Sequence, residues 1–260
     1  DRTSRGLGDV YKRQIGNTST KICILNNKFQ ILRSYDFDTN KMHRGNILKN
    51  IIRKKNNKNI NPVFLFSSVV PEVLISIKKG LKSSKFKILE IKNLKLNKII
   101  KINIKNKKKL GSDRIANAIG AKKFKNCLII DFGTATTFDI IKNGTYEGGV
   151  IAPGVNLSIK NLSQGTALLP LINLKSHQKS YGKNTIEALN AGFIWGYEGL
   201  INNIIDKVIS RSKIKYKILL TGGYANFFKK MIKKKVVIDQ DITIKGIANA
   251  YKELIWVKKN

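Results

Sequence analysis

The spacing of apolar positions changes along the chain, and each change marks an element. After a polar Gly-Asn-Thr at 16–18, Ile22 and Ile24 alternate with Cys23 and Leu25, which predicts a strand-turn-strand hairpin. A third strand is predicted at 28–37. Helical spacing follows at 45–55, where Ile47, Leu48, Ile51 and Ile52 share a face, then a short buried strand at 63–66. Pro71 opens a second helix carrying Val73, Leu74, Ile77 and Leu81 along one side, and a strand is predicted at 86–91. The second half repeats this order. It predicts a helix at 113–123, strands at 127–130, 136–141 and 145–150, and helices at 155–162 and 185–210. A strand at 216–220, a helix at 224–234, a strand at 236–238 and a helix at 244–257 complete it. Two similar α/β halves in tandem, with a cleft between them, are the architecture this predicts.

Charge adds a question. The 260 residues include 50 Lys+Arg against 16 Asp+Glu, a formal net charge of +34. Of these cations only 8 are Arg, and the 42 Lys are spread through the chain beside 39 Ile and 27 Asn, the residues with the most A/T-rich codons. Dispersed lysine with little arginine points to genome composition rather than specific nucleic-acid recognition. No apolar run reaches the roughly 18 residues of a membrane span, and no signal-peptide pattern opens the chain, so a soluble cytoplasmic protein is expected. Cys23, Cys127, His43 and His177 have no metal-ligand spacing.

Residues 1–14 (DRTSRGLGDVYKRQ) almost lack the Ile/Asn bias, which begins abruptly at Ile15. The run Asp9-Val10-Tyr11-Lys12-Arg13-Gln14 is also what GAT GTG TAT AAG AGA CAG encodes, which resembles a transposase mosaic end used in library adaptors. This segment is read as a translated adaptor, set apart from a first domain at 15–112 and a second at 113–260.

Three glycine turns carry candidate chemistry. D-F-G-T-A-T-T (131–137) follows a buried strand, and its glycine, hydroxyls and N–H groups suit an anion, although an ordinary glycine hairpin would read the same way. T-G-G (221–223) lies between a strand and a helix and could admit a nucleotide over bare backbone. The first half offers Gln14-Ile15-Gly16-Asn17-Thr18 in the position of Asp131-Phe132-Gly133-Thr134-Ala135. G-S-D-R (111–114) reads either as a capped helix with a surface ion pair or as a carboxylate base beside a guanidinium fork. In the helix at 185–210, Gly192, Gly196 and Gly199 suit close approach of another backbone, within the chain or across a dimer seam.

With these blocks the chain resembles type III pantothenate kinases, of the acetate-kinase/sugar-kinase/Hsp70/actin superfamily. The resemblance covers I-G-N-T-S-T-K (15–21), S-S-V-V-P (67–71), G-S-D-R-I-A-N (111–117), D-F-G-T-A-T-T and G-G-V-I-A-P-G (148–154). It continues through T-A-L-L-P (166–170), G-K-N-T (182–185), T-G-G and D-I-T-I-K-G-I (241–247). It implies two tandem actin-like/ribonuclease H-like α/β domains with a nucleotide cleft between them, and ATP-dependent phosphorylation of pantothenate, the first step of coenzyme A biosynthesis. It further implies that Gln14, Ile15, Gly16, Asn17, Thr18, Ser19, Thr20, Lys21 and Thr134 bind Mg-ATP. Asp131 is similar to the ligand of a monovalent cation, potassium or ammonium. Gly111, Ser112, Asp113 and Arg114 resemble the pantothenate-contacting segment, with Asp113 as proton acceptor, and Thr185 a substrate contact supplied across a homodimer interface. By its residue type alone, Lys21 reads equally as one more solvated lysine.

Two departures stand out. The family usually has Asp where Gln14 stands, and an amide cannot replace a carboxylate near Mg-ATP. The Lys-rich stretch at 102–110 lacks the Tyr and Pro often seen there. The rival readings are a non-catalytic transcription accessory protein on the same fold, and a kinase for another small alcohol.

Overall fold

The computed structural model describes residues 10–15, 19–25, 31–38, 63–68, 75, 79, 87–174 and 180–256. The helix expected at 45–55 lies outside them, and of the one expected from Pro71 only Ile75 and Lys79 are described, both helical. Contacts divide the chain into two compact units, Asp1–Lys123 with Asp241–Asn260, and Phe124–Gln240.

The first unit contains β1 (Val10–Ile15), β2 (Ser19–Leu25), β3 (Ile31–Asp38), β4 (Val63–Ser68) and β5 (Lys87–Glu90), in sheet order β3-β2-β1-β4-β5. β1 runs antiparallel to β2 and parallel to β4. The adaptor-like residues therefore form the central strand rather than leaving its place vacant. Backbone N–H and C=O groups make the ladder, so any segment without proline can supply them. In register, Arg13 stands between Ile22 and Phe66, and Lys12 between Cys23 and Leu65. The short strand β6 (Lys101–Ile102) and helix α1 (Ser112–Gly120) follow.

The second unit contains β7 (Cys127–Phe132), β8 (Ala135–Lys142), β9 (Thr145–Pro153), α2 (Val155–Gln164), α3 (Thr185–Ser212), β10 (Lys217–Gly222), α4 (Ala225–Phe228) and β11 (Val236–Ile238). Its strands run β9-β8-β7-β10-β11. Numbered within each unit, this is the order of the first sheet, and the directions match as well: β7 is antiparallel to β8 and parallel to β10. The repeated order expected from sequence is thus a repeated topology. Leu128, Ile130 and Phe132 of β7 pack with Val155 and Ile159 of α2, Tyr197, Ile201 and Ile205 of α3, and Phe228 of α4. Phe132 and Phe228 stack with ring centroids 5.5 Å apart.

Two expectations differ from the structure. The helix predicted at 224–234 is a single turn, α4, followed by a 3-10 turn at Lys229–Met231. The division expected at residue 112 differs from the contact boundary: helix α1 belongs with the first unit, where it packs against the returning C-terminal helix α5 (Ile242–Tyr251).

Candidate active site

Asp131 is the penultimate residue of β7, and Gln14 the penultimate residue of β1. Each stands where the first strand of its sheet meets two neighbours: Gln14 pairs in register with Lys21 and Ser67, and Asp131 with Thr137 and Thr221. The duplication therefore puts a carboxylate at one of two equivalent strand ends and an amide at the other. Ile15 pairs with Thr20, and Ser19 with Asp38, while Gly16, Asn17 and Thr18 lie outside the described residues.

Beyond Asp131 the chain turns tightly, with Gly133 N–H donating to Ala135 C=O at 3.1 Å. Thr134, at the tip, is exposed, whereas Asp131 is half-buried. Two other segments press on this turn, and both can do so only as glycine. A Cβ on Gly154 would lie 1.9 Å from the Thr134 carbonyl oxygen. Gly222 has φ +85, and a Cβ there would lie 2.6 Å from the Phe132 carbonyl oxygen. Gly223 N–H donates to Phe132 C=O at 3.1 Å, and a Cβ on Gly223 would meet nothing within 4 Å. The blocks D-F-G-T, A-P-G and T-G-G thus form one backbone-lined surface beside a carboxylate, open at Gly223. Of these glycines, Gly222 and Gly223 were legible in the sequence as a turn that could admit a nucleotide, whereas Gly154 stood only within a matched block, because a glycine's neighbours across the fold are not written beside it.

Such a surface suits a polyphosphate and its cation. Backbone N–H groups hold phosphate oxygens, and Mg²⁺ on a triphosphate needs only about one or two carboxylates. Among the described residues there is no cluster of three or more His, Cys, Asp or Glu, so an all-protein metal cage is not what this donor set offers.

In the first unit, Gly111 precedes helix α1 with φ −59 and ψ 139 and contributes no side-chain cap. Asp113 takes that part: its Oδ1 accepts the Arg114 backbone N–H at 2.8 Å. The carboxylate lies so close over Gly111 that a Cβ there would be 2.5 Å from Oδ1. Asp113 and Arg114 are half-buried, while Ser112 is wholly buried and its Oγ has no hydrogen-bond partner among the described residues. The capped-helix reading of G-S-D-R therefore describes the backbone correctly, and the capping oxygen belongs to the residue expected as base.

Thr185 opens α3 and is exposed. The G-K-N-T block has a local reason: Asn184 Oδ1 caps Glu187 N–H at 3.0 Å, and Glu187 Oε2 accepts Lys183 N–H at 2.9 Å, a capping-box exchange. Gly182 allows the loop to press on the helix, since a Cβ there would lie 2.0 Å from Ala188 N. Thr185 also lines an apolar cavity of about 400 Å³ with Leu162, Leu169, Leu189 and Phe193. Farther along, a Cβ on Gly192, Gly196 or Gly199 would meet nothing within 4 Å among the described residues.

The likeness to known proteins has the same extent. The fold matches a Baf family transcriptional activator from Campylobacter jejuni, with a TM-score of 0.61 at 20% identity over 94% of this chain and 98% of that one. It also matches a 2-dehydro-3-deoxygalactonokinase from Sinorhizobium meliloti, with a TM-score of 0.59 at 9% identity over 94% and 98%. At these identities the likeness speaks for the actin-like sugar-kinase fold. Sequence goes further. A protein of Pelagibacter ubique named type III pantothenate kinase is 47% identical over 239 residues, 91% of this chain and 96% of that protein. The type III pantothenate kinase family model matches residues 14–207, from the Gln14 strand end through the Asp113 helix start and the Asp131 turn into α3. The chain belongs to the type III pantothenate kinase family.

Proposed function

We propose that this chain transfers the γ-phosphoryl group of ATP to the primary alcohol of pantothenate, giving 4'-phosphopantothenate. The observation that carries the proposal is the Asp131 turn, where two glycine-dependent backbone contacts gather a backbone-lined surface beside one carboxylate. Thr134 and the turn orient phosphate oxygens, and Asp131 holds a monovalent cation, potassium or ammonium. Mg²⁺, when bound with ATP, supplies charge neutralisation on the phosphoryl oxygens. Asp113, pinned by the Arg114 N–H, orients the alcohol and takes its proton late, because the phosphoryl transition state is loose and needs little deprotonation early. Arg114 supplies a fork matching the substrate carboxylate.

A homodimer completes this reading. The exposed positions of α3 from Thr185 to Gly199 include Ile186, Ala188, Gly192, Trp195, Gly196 and Gly199, with Glu187 as the charged exception. In a chain with 42 Lys, a helix face without lysine over that length favours a second copy as its cover. Thr185 would then serve the partner's substrate. The transcription-accessory alternative has less support, since the lysines are dispersed.

A coupled assay comparing pantothenate with sugars and acetate, run on the parent and on Asp113→Asn, tests the function. Pantothenate should be the preferred acceptor, with turnover lowered about 10²- to 10⁴-fold by the substitution. A sugar or acetate preferred over pantothenate would overturn the substrate. Asp113→Asn turnover within about threefold of the parent would overturn the base.

A further inference from the structure

Helix α1 carries Asp113 at its start and is gripped along its length by helix α5. The grip is almost entirely hydrocarbon and backbone. A Cβ on Gly246 would lie 1.7 Å from the Ala116 carbonyl oxygen, and one on Gly120 would lie 2.2 Å from the Ile242 carbonyl oxygen, so the two backbones touch at both points. Ile115, Ala116, Ile119, Ile242 and Ile247 are buried around them. Contacts of this kind hold helices together strongly but are non-directional, and leave rotation and sliding weakly specified.

One polar pair supplies the missing direction. Thr243 Oγ1 donates to Asn117 Oδ1 at 2.6 Å, with Asn117 0% and Thr243 4% exposed. A buried hydrogen bond in an apolar helix seam is a device for fixing register, as a buried Asn does in coiled coils. Asn117 stands four residues after Asp113, so the two lie on one face about 6 Å apart along the axis. We propose that Asn117 and Thr243 are positioning residues for phosphoryl transfer, fixing the rotation of α1 so that the Asp113 carboxylate meets the alcohol. This rests on the reading of Asp113 as proton acceptor. The lever is short but sufficient: a side-chain tip about 5–6 Å from the helix axis moves roughly 1 Å for a 10° rotation. A displacement of about 1 Å at reacting groups costs on the order of 10²-fold in rate. It also gives the D-I-T-I-K-G-I block, distant in sequence from G-S-D-R, a part in the chemistry.

The test uses the full chain, with and without Gln14→Asp, carrying Asn117→Leu with Thr243→Val, Thr243→Val alone, or Thr243→Ser. Removing both partners of this hydrogen bond leaves neither of the two side chains unsatisfied, so the double variant should fold with a Tm within about 5 °C of its parent. Its kcat should fall about 10- to 100-fold while KM for ATP changes less than about threefold, and Thr243→Ser should keep kcat within about threefold. Thr243→Val alone serves if the double variant does not fold. A kcat within about threefold of the parent in the valine variants would show that the pair is structural only, overturning the proposal. If the parent turns over a different alcohol, the function reading fails and the same ratio is read with that alcohol. If it turns over none, amide exchange of residues 111–120 decides. Faster exchange in the double variant supports the proposal, and unchanged exchange overturns it.

Discussion

Replacing Gly111 with alanine would put a carbon 2.5 Å from Asp113 Oδ1, well inside van der Waals contact. The backbone there does not object, since φ −59 and ψ 139 suit any residue. The clash is with the end of a flexible side chain, so Asp113 yields by rotating and gives up its 2.8 Å bond to the Arg114 N–H. That bond, with a charged acceptor, contributes about 1.5–3 kcal/mol where shielded and less here, because Asp113 is half-exposed. Against this, alanine lowers the entropy of the unfolded chain by about 0.4–1 kcal/mol. The net change in stability should be about 1 kcal/mol or less, roughly 2–4 °C in Tm for a chain of this size. The carboxylate, however, moves by about the 1 Å that relieves the contact, and turnover should fall about 10- to 100-fold. The assay is kcat and KM for both substrates by coupled ADP detection in the Gln14→Asp background, beside a melting curve. If kcat stays within about threefold with Tm unchanged, the carboxylate position over Gly111 is not the working one and the assignment of its geometry fails.

Gln14→Asp should raise turnover by about tenfold or more, by restoring a second carboxylate at the strand end equivalent to Asp131; equal turnover would show that the amide suffices. Thr136 is wholly buried and its Oγ1 has no hydrogen-bond partner among the described residues, so Thr136→Val should raise stability by about 1 kcal/mol in urea unfolding, and a loss would mean that the hydroxyl is used. Gly196→Leu adds bulk to the open face of α3 and should shift sedimentation from dimer to monomer without lowering Tm by more than about 5 °C. A variant that remains fully dimeric would move the seam elsewhere. The Cys127 thiol is pushed up to about 12 by burial, so iodoacetamide at pH 8 should not modify it in the folded protein, and rapid labelling would show that β7 opens.

Much of this protein was legible in its sequence because the features concerned are local. Alternation of Ile22 and Ile24, the apolar run at Cys127–Ile130 and the helical spacing after Asp113 each reflect a pattern that a short segment carries by itself, and they returned within β2, β7 and α1. The compositional break at Ile15 and the likeness of 14–18 to 131–135 were also readable, and they become the equivalent strand ends Gln14 and Asp131. The adaptor-like segment shows the limit of composition, because a ladder is made by the backbone and residues 10–14 form most of the central strand. What only the tertiary structure decided are the contacts between segments distant in sequence. Gly154 meets Thr134, Gly222 meets Phe132, Gly246 meets Ala116, and Thr243 meets Asn117. In the sequence, glycine reports freedom or closeness without naming its neighbour, and a threonine does not name its acceptor. The expected division at residue 112 differed from the contact boundary for the same reason: α5, nearly at the end of the chain, packs onto α1, and that return is a matter of packed backbones rather than of any local period.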